Sequence, residues 1–140
     1  MKIIEVNEMA ELKLGMKAEK SELVTENNTA ATVGSGSLPV YATPAMIALI
    51  EQTAVKLLDG QLDEGLTTVG TKLDIAHTSA TPIGLSATCV CELVEIDRKR
   101  LVFDVKVSDA CGMIGKGTHE RFIVKAEPFV EKANAKCTQA

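Results

Sequence analysis

The feature that most restricts the fold is one long apolar helix, which the sequence predicts from Thr43 to just before Gly60. Threonine is a favourable N-cap, Pro44 suits the first helical position, and glycine is a natural stop. An apolar stripe at helical spacing runs along the segment: Met46, Ile47, Ile50, Ala54, Leu57 and Leu58. Most of the remaining helix surface is apolar as well, so the helix should be largely surrounded by other structure.

Strand-like patterns lie on both sides of this helix. Residues 16–24 predict one strand, and the Gly-, Ser- and Pro-rich residues 32–40 predict a loop, or a short edge strand followed by a loop. After Gly65, short turns separate four predicted strands, at residues 71–77, 85–96, 101–107 and 114–126. We therefore expect an α+β fold in which a long antiparallel sheet wraps around one central helix. Residues 1–140 should form a single domain, with residues 129–140 as a loose C-terminal tail.

Charge and composition argue against several classes of function. A net charge of -4 and a pI near 5.2 suit nucleic-acid backbones poorly, and one Tyr, three Phe and no Trp leave few groups to stack on bases. No run of about 20 apolar residues predicts a membrane span, and acidic residues near the N-terminus argue against a secretory signal. Cys89 and Cys91 have no nearby His or second cysteine pair, so we expect reduced thiols, no metal and a cytoplasmic location.

Three residues are candidates for chemistry, although each also has a structural interpretation. Glu51 lies two turns into the apolar helix, and it either points outward at a rim or is buried with a partner in a site. His77 falls on the apolar face of its predicted strand, as a core histidine or as a proton-transfer group. Thr43 has a sufficient role as N-cap, but a helix N-terminus can also hold a thioester oxygen or an oxyanion. A second histidine, His119, could be a strand residue that faces water.

The order of several short motifs is more specific than any single residue. Residues 42–46 read Ala-Thr-Pro-Ala-Met, and Glu51 follows eight residues after Thr43. Gly-Thr at 70–71 precedes His-Thr-Ser-Ala-Thr-Pro at 77–82, and Gly-Lys-Gly-Thr-His-Glu-Arg occupies 115–121. Over residues 15 to about 130 this order resembles the fluoroacetyl-CoA thioesterase family of hot-dog proteins. The resemblance implies a hot-dog fold, in which a sheet surrounds a central helix.

The resemblance also implies an activity and a set of site residues. Thr43, Glu51 and His77 take the places of the family's catalytic threonine, glutamate and histidine, and Gly70 matches a substrate-binding glycine beside the thioester carbonyl. The implied reaction is hydrolysis of a small acyl-CoA thioester to the free acid and thiol, without a metal or a redox cofactor. Glu51 would attack the carbonyl or activate water, and His77 would supply acid–base help. The family pairs into homodimers with sites at the subunit interface, so we expect a homodimer or a dimer of dimers.

One segment departs from the family pattern. The fluoroacetyl-specific enzyme has a longer, aromatic lid before the helix, whereas residues 29–40 here are shorter and contain no Phe. We therefore expect the lid to be mobile and short acyl groups to be accepted broadly, without selectivity for fluoroacetyl. Two other functions stay open: a hot-dog hydratase or dehydratase, which also uses a His with an acid, and a non-catalytic acyl-CoA-binding module, which would tolerate loss of Glu51. Release of free thiol from acetyl-CoA distinguishes hydrolysis from both.

Overall fold

A computed structural model describes residues 12–138 and contains five strands and three α-helices. The strands are β1 (Lys17–Leu23), β2 (Leu66–His77), β3 (Ser86–Asp97), β4 (Arg100–Asp109) and β5 (Gly112–Lys125). The helices are α1 (Ala30–Val33), α2 (Thr43–Leu58) and α3 (Ala126–Asn134), and 3₁₀ turns occupy Glu26–Asn28 and Ala135–Thr138. The long apolar helix and all five predicted strands are present. Among the described residues, no helix is long and apolar enough to cross a membrane.

The strands form one antiparallel sheet in the order β1-β3-β4-β5-β2. Consecutive strands β3, β4 and β5 are joined by short turns, and β2 pairs with β5 at one edge. The pairing of β2 with β5 depends on Gly117, because a Cβ added there would lie 1.9 Å from the Asp74 carbonyl oxygen. The predicted α+β architecture, an antiparallel sheet around one long helix, is confirmed.

Helix α2 packs its apolar stripe against the sheet and supplies much of the core. Met46, Leu49, Ile50 and Ala54 are fully buried, and they pack in one cluster with residues of β3, β4 and β5. The two strand cysteines also face α2, since the Cys91 thiol lies 3.7 Å from the Ile50 carbonyl oxygen. The helix is not covered on all sides, however. Ala48, Gln52, Val55 and Lys56 remain exposed on one flank.

The structure differs from the sequence predictions at three helices. The N-cap of α2 is Ala42, which has an extended conformation, and no side chain makes a capping hydrogen bond there. Thr43, which was predicted as the N-cap, is instead the first residue of the helix. The predicted loop at 32–40 contains the end of α1, which is capped by the Thr29 side chain. Of the tail predicted at 129–140, residues 129–134 belong instead to α3, where an acidic first turn and Lys132 in the last turn favour a helix, and the last two residues lie outside the described part of the chain. Residues 129–137 of that tail are exposed.

Candidate active site

Thr43 and His77 meet where α2 begins and β2 ends. The Thr43 hydroxyl and His77 Nδ1 are 2.8 Å apart, which is a hydrogen bond. Because Ala42 rather than Thr43 is the N-cap, the threonine hydroxyl is free to make this contact. Thr43 is exposed and His77 is half-buried, so a substrate could reach the hydroxyl end of the pair.

The surroundings of His77 favour its neutral form. Burial lowers the pKa of His77 below its usual value, and a hydrogen bond with the backbone of Ser79 opposes part of that shift. The Tyr41 ring packs edge-on against the imidazole at a centroid distance of 6.5 Å, and the Tyr41 hydroxyl donates a hydrogen bond to Glu22. His77 Nε2 is buried without a hydrogen-bond partner among the described residues. A neutral imidazole held in this way can accept a proton near pH 7.

Glu51 occupies a second cluster, further along the same helix. Its carboxylate Oε2 lies 3.6 Å from Arg121 Nη1, and the exposed fractions of the two side chains are 41% and 7%. Gly70 lies directly against the carboxylate, because a Cβ added there would be 2.4 Å from Glu51 Oε2. The glycine therefore leaves the space in which the carboxylate rests. Its predicted role as a backbone donor to the thioester is a separate matter and stays a prediction.

The cation beside Glu51 comes from a strand residue that the sequence analysis missed. Arg121 of β5 is buried, and so is His119 two residues earlier, which contradicts the alternative that His119 faces water. Both share a strand face with the buried Ile123, as alternate residues of a strand must. This alternation could have identified Arg121 from the sequence, because residues two apart in a strand, here His119, Arg121 and Ile123, lie on one face. Arg121, rather than Thr43 or His77, is the charged partner of Glu51: burial lowers the pKa of Arg121, and the negative charge of Glu51 opposes that shift.

A bulge in β2 brings Gly70 and His77 to the same face of the sheet. Gly70 pairs with Arg121 and Lys72 pairs with Glu120, so Thr71 is an extra residue in the ladder. Without it, residues seven apart would point to opposite faces of the strand. With it, Gly70 adjoins the Glu51 carboxylate while His77 reaches Thr43 on the same helix. The apolar strand face on which His77 is predicted to lie begins only after this bulge.

The two clusters line separate cavities within one subunit. Thr43 and His77 line a cavity of about 280 Å³ together with residues of the lid, and Glu51 and Arg121 line another of about 660 Å³. Eight helical residues separate Thr43 from Glu51, or about 12 Å along the axis. The structure thus joins Thr43 to His77 and Glu51 to Gly70, but not one pair to the other. Within residues 12–138, no group of three or more His, Cys, Asp or Glu side chains is placed to hold a metal ion.

The antiparallel sheet wrapped around one long helix defines a protein of the hot-dog class. A hot-dog-like protein from Thermanaerovibrio acidaminovorans has the same fold, with a TM-score of 0.83 at 21% identity over 94% of this chain and 96% of that one. The particular family follows from the sequence: residues 24–127 match the family described as fluoroacetyl-CoA-specific thioesterase, and the chain belongs to it.

Two further relatives agree with this membership. The fluoroacetyl-CoA thioesterase of Streptantibioticus cattleyicolor is 37% identical over 97 residues, which cover 69% of this chain and 70% of that protein. The solved structure of the fluoroacetyl-CoA thioesterase FlK superposes with a TM-score of 0.84 at 30% identity, over 89% of this chain and 97% of that one. The predicted family, hot-dog fold and thioesterase class are therefore confirmed.

Proposed function

We propose that this protein hydrolyses the thioester of a small acyl-CoA, with Thr43, Glu51 and His77 as its catalytic residues and Gly70 at the substrate. The observation that carries the proposal is the 2.8 Å contact between Thr43 and His77 at the start of the helix that also bears Glu51. A neutral imidazole paired with a hydroxyl can transfer protons, and a charged carboxylate can act as base or nucleophile. The membership of a thioesterase family supports the same reaction.

The reaction needs only these groups and water. Glu51 either removes a proton from water as that water attacks the carbonyl carbon, or attacks the carbon itself before water releases the acid. The carbon–sulfur bond breaks, and the departing thiolate takes up one of the two protons of the consumed water, which the neutral imidazole of His77 accepts and passes on. Backbone N–H groups near Gly70 would stabilise the oxyanion. No metal or redox cofactor takes part in this scheme, and coenzyme A enters only as part of the substrate.

The dimensions and charges of the two cavities support a small acyl group on a large anionic carrier. The cavity at Thr43 is about 280 Å³ and is lined by small side chains, among them Ala30, Ser35 and Ala80. Lys20 and Lys56 line the cavity at Glu51, where their ammonium groups suit the phosphates of coenzyme A. The lid carries no Phe, so we propose that short acyl groups are accepted broadly and that fluoroacetyl has no special advantage.

We also propose that the working form is a homodimer, alone or as half of a dimer of dimers, paired through β2. This 12-residue strand lies at an edge of the sheet, and Leu73 on it is 36% exposed. The opposite edge, β1, is shorter and rich in Lys and Glu, which discourages pairing. A twofold axis near Leu73 would pair β2 with its copy in antiparallel fashion. The Gly70 end of one strand would then lie beside the partner's His77, which would join the two clusters across the interface.

Thiol release from a panel of acyl-CoA esters tests the reaction. Acetyl-CoA and other short esters should release free thiol, and Glu51→Gln should lower the rate by about 10²-fold or more. Glu131→Gln, on the exposed α3, is the matched control and should behave like the parent. If a folded, dimeric Glu51→Gln variant hydrolyses its best ester at the parent rate, the role proposed for Glu51 is wrong.

Mixed dimers test whether two subunits share a site. When Glu51→Gln and His77→Ala subunits are mixed and allowed to exchange, a mixed dimer retains one site with both functional residues if the site spans the interface. Random exchange should then restore about a quarter of the parent activity, since half of the dimers are mixed and each has one intact site. No recovery in a mixture shown to contain mixed dimers would place the whole site within one subunit.

For the location of the protein, we propose the cytoplasm. All four cysteines are free thiols, and Cys89 and Cys91 are buried side by side with their sulfur atoms 3.9 Å apart. The cytoplasm keeps such thiols reduced. Labelling of the thiols in freshly lysed cells, before and after reduction, tests this proposal, and oxidised cysteines in the native protein would contradict it.

A further inference from the structure

Arg121 is held in the sheet by two hydrogen bonds to one residue of β2. Its Nε donates to the Thr68 hydroxyl at 2.8 Å, and its Nη2 donates to the Thr68 carbonyl oxygen at 3.1 Å. Two bonds from different nitrogens fix the plane of a guanidinium group. Thr68 therefore decides the plane in which Arg121 lies, and the remaining nitrogen, Nη1, faces His119 and Glu51.

The partners of His119 determine which of its ring nitrogens carries the proton. Nδ1 is 2.9 Å from the Lys72 carbonyl oxygen, which can only accept, so Nδ1 must carry a hydrogen. Nε2 is 3.2 Å from Arg121 Nη1, which can only donate, so Nε2 must be unprotonated. His119 is therefore the neutral Nδ1–H tautomer. Its ring also stacks on Phe103 at a centroid distance of 6.1 Å, which fixes its orientation.

The electrostatic surroundings agree with a neutral His119. Burial lowers the pKa of His119 most, and the positive charge of Arg121 lowers it further. The hydrogen bond to the Lys72 backbone and the negative charges of Glu51 and Glu120 oppose this shift. An imidazolium would place two cations 3.2 Å apart and would remove the acceptor that Arg121 Nη1 uses.

We propose that His119 is a positioning residue, which as a neutral acceptor holds Arg121 Nη1 so that its second hydrogen faces the Glu51 carboxylate. Nη1 carries two hydrogens, of which one goes to His119 and the other is left for Glu51 Oε2, 3.6 Å away. The carboxylate also lies against Gly70, and the rest of the Glu51 side chain is partly open to solvent. The catalytic consequence rests on the proposed function, but the arrangement itself can be tested without activity.

Two conservative replacements of His119 separate its two hydrogen bonds. In His119→Gln, the side-chain oxygen reaches the position of Nε2 and can still accept from Arg121. In His119→Asn, the shorter amide can still donate to the Lys72 carbonyl but does not reach Arg121. We expect His119→Asn to lower kcat by about 10- to 100-fold with little change in KM, because misplacement of the carboxylate affects the chemical step. His119→Gln should stay within about threefold of the parent. Equal losses in the two folded variants would overturn the proposal.

Long-range ¹H–¹⁵N correlation spectra of the full-length protein read the tautomer directly. The expected result is a His119 ring with protonated Nδ1 and unprotonated Nε2 at neutral pH, and His119→Gln identifies its signals. A protonated Nε2 or a charged ring would overturn the proposal, whatever the activity. Absence of thioester hydrolysis together with the expected tautomer would instead contradict only the proposed function.

Discussion

The two halves of the candidate site are built in different ways. Thr43 and His77 stand at the ends of secondary-structure elements, are partly open to solvent, and need only each other to form a hydrogen bond. Glu51 stands in mid-helix, and its charge is balanced by Arg121, which is buried behind it and is itself bound by Thr68 and His119. A neutral pair is satisfied by one partner, whereas a buried guanidinium needs an anion beside it and acceptors for its nitrogens. The charged half, Glu51 with Arg121, is therefore more vulnerable to changes far from the substrate than the neutral half, Thr43 with His77.

The largest expected effect is the loss of kcat when the functional group of either half, Glu51 or His77, is removed singly or together with the other. Glu51→Gln and His77→Ala should each lower kcat by about 10²-fold or more, and the double variant should be hardly worse than either single one. The reason is that both groups act in one reaction. Steady-state thiol release from dimers of verified fold measures these values. Losses that multiply in the double variant would indicate two half-sites that work independently.

Gly70→Ala should affect only the charged half. The new methyl group would lie 2.4 Å from Glu51 Oε2, so the carboxylate must move, and kcat should fall by about 10²-fold. In a Glu51→Gln background the same change should cost little further, because the catalytic carboxylate that it would misplace is already absent. Kinetics of the four proteins in this cycle give the coupling. Independent losses would mean that Gly70 acts through its own N–H.

Thr43 variants should separate the hydroxyl of the neutral half from the stability of the helix. Thr43→Ala should lower kcat by about tenfold or more, and Thr43→Ser should be milder because it keeps the hydroxyl. Since the N-cap is Ala42, Thr43→Ala should lower the free energy of unfolding only through the lost hydrogen bond to His77, by about 1 kcal/mol, and Thr43→Ser should lower it less. Thermal unfolding and thiol release, measured on the same samples, check both statements. A loss of about 1 kcal/mol from Thr43→Ala in a His77→Ala background, where that hydrogen bond is already absent, would show that the hydroxyl does cap the helix in solution.

The smallest expected effect is on stability at mildly acidic pH. Both His77 and His119 have a pKa lowered by burial in the folded protein, so the unfolded chain binds more protons. The pKa of histidine in the unfolded chain is about 6.5, and above that pH the free energy of unfolding should keep its full value. As the pH falls below about 6.5 and through the lowered pKa values of the folded protein, the free energy of unfolding should decline. Urea unfolding at a series of pH values from about 7.5 to about 5, which lie on either side of the pKa in the unfolded chain, measures how the free energy of unfolding changes with pH. His77→Gln and His119→Gln should each flatten it, and a slope unchanged in both would contradict the assignment.

The neutral half of the site was largely predictable from sequence, and the charged half was not. Thr43 and His77 were visible because one begins a well-marked helix and the other follows an apolar alternation. Glu51 was visible because a carboxylate in an apolar helix needs an explanation. Its partner Arg121 lies 70 residues further along the chain, and no local pattern relates two positions so far apart.

The sequence by itself determined the central helix, the five strands, the order of the three candidate residues and the family. Each of these depends on neighbours in the chain: an apolar period, a turn, or a run of motifs. Only the tertiary structure decided that Thr71 is a bulge, that Arg121 supports Glu51, and that the neutral and charged halves line different cavities. The physical reason is that strand register and the pairing of buried charges are set by groups on other elements, which meet only when the sheet has closed around the helix.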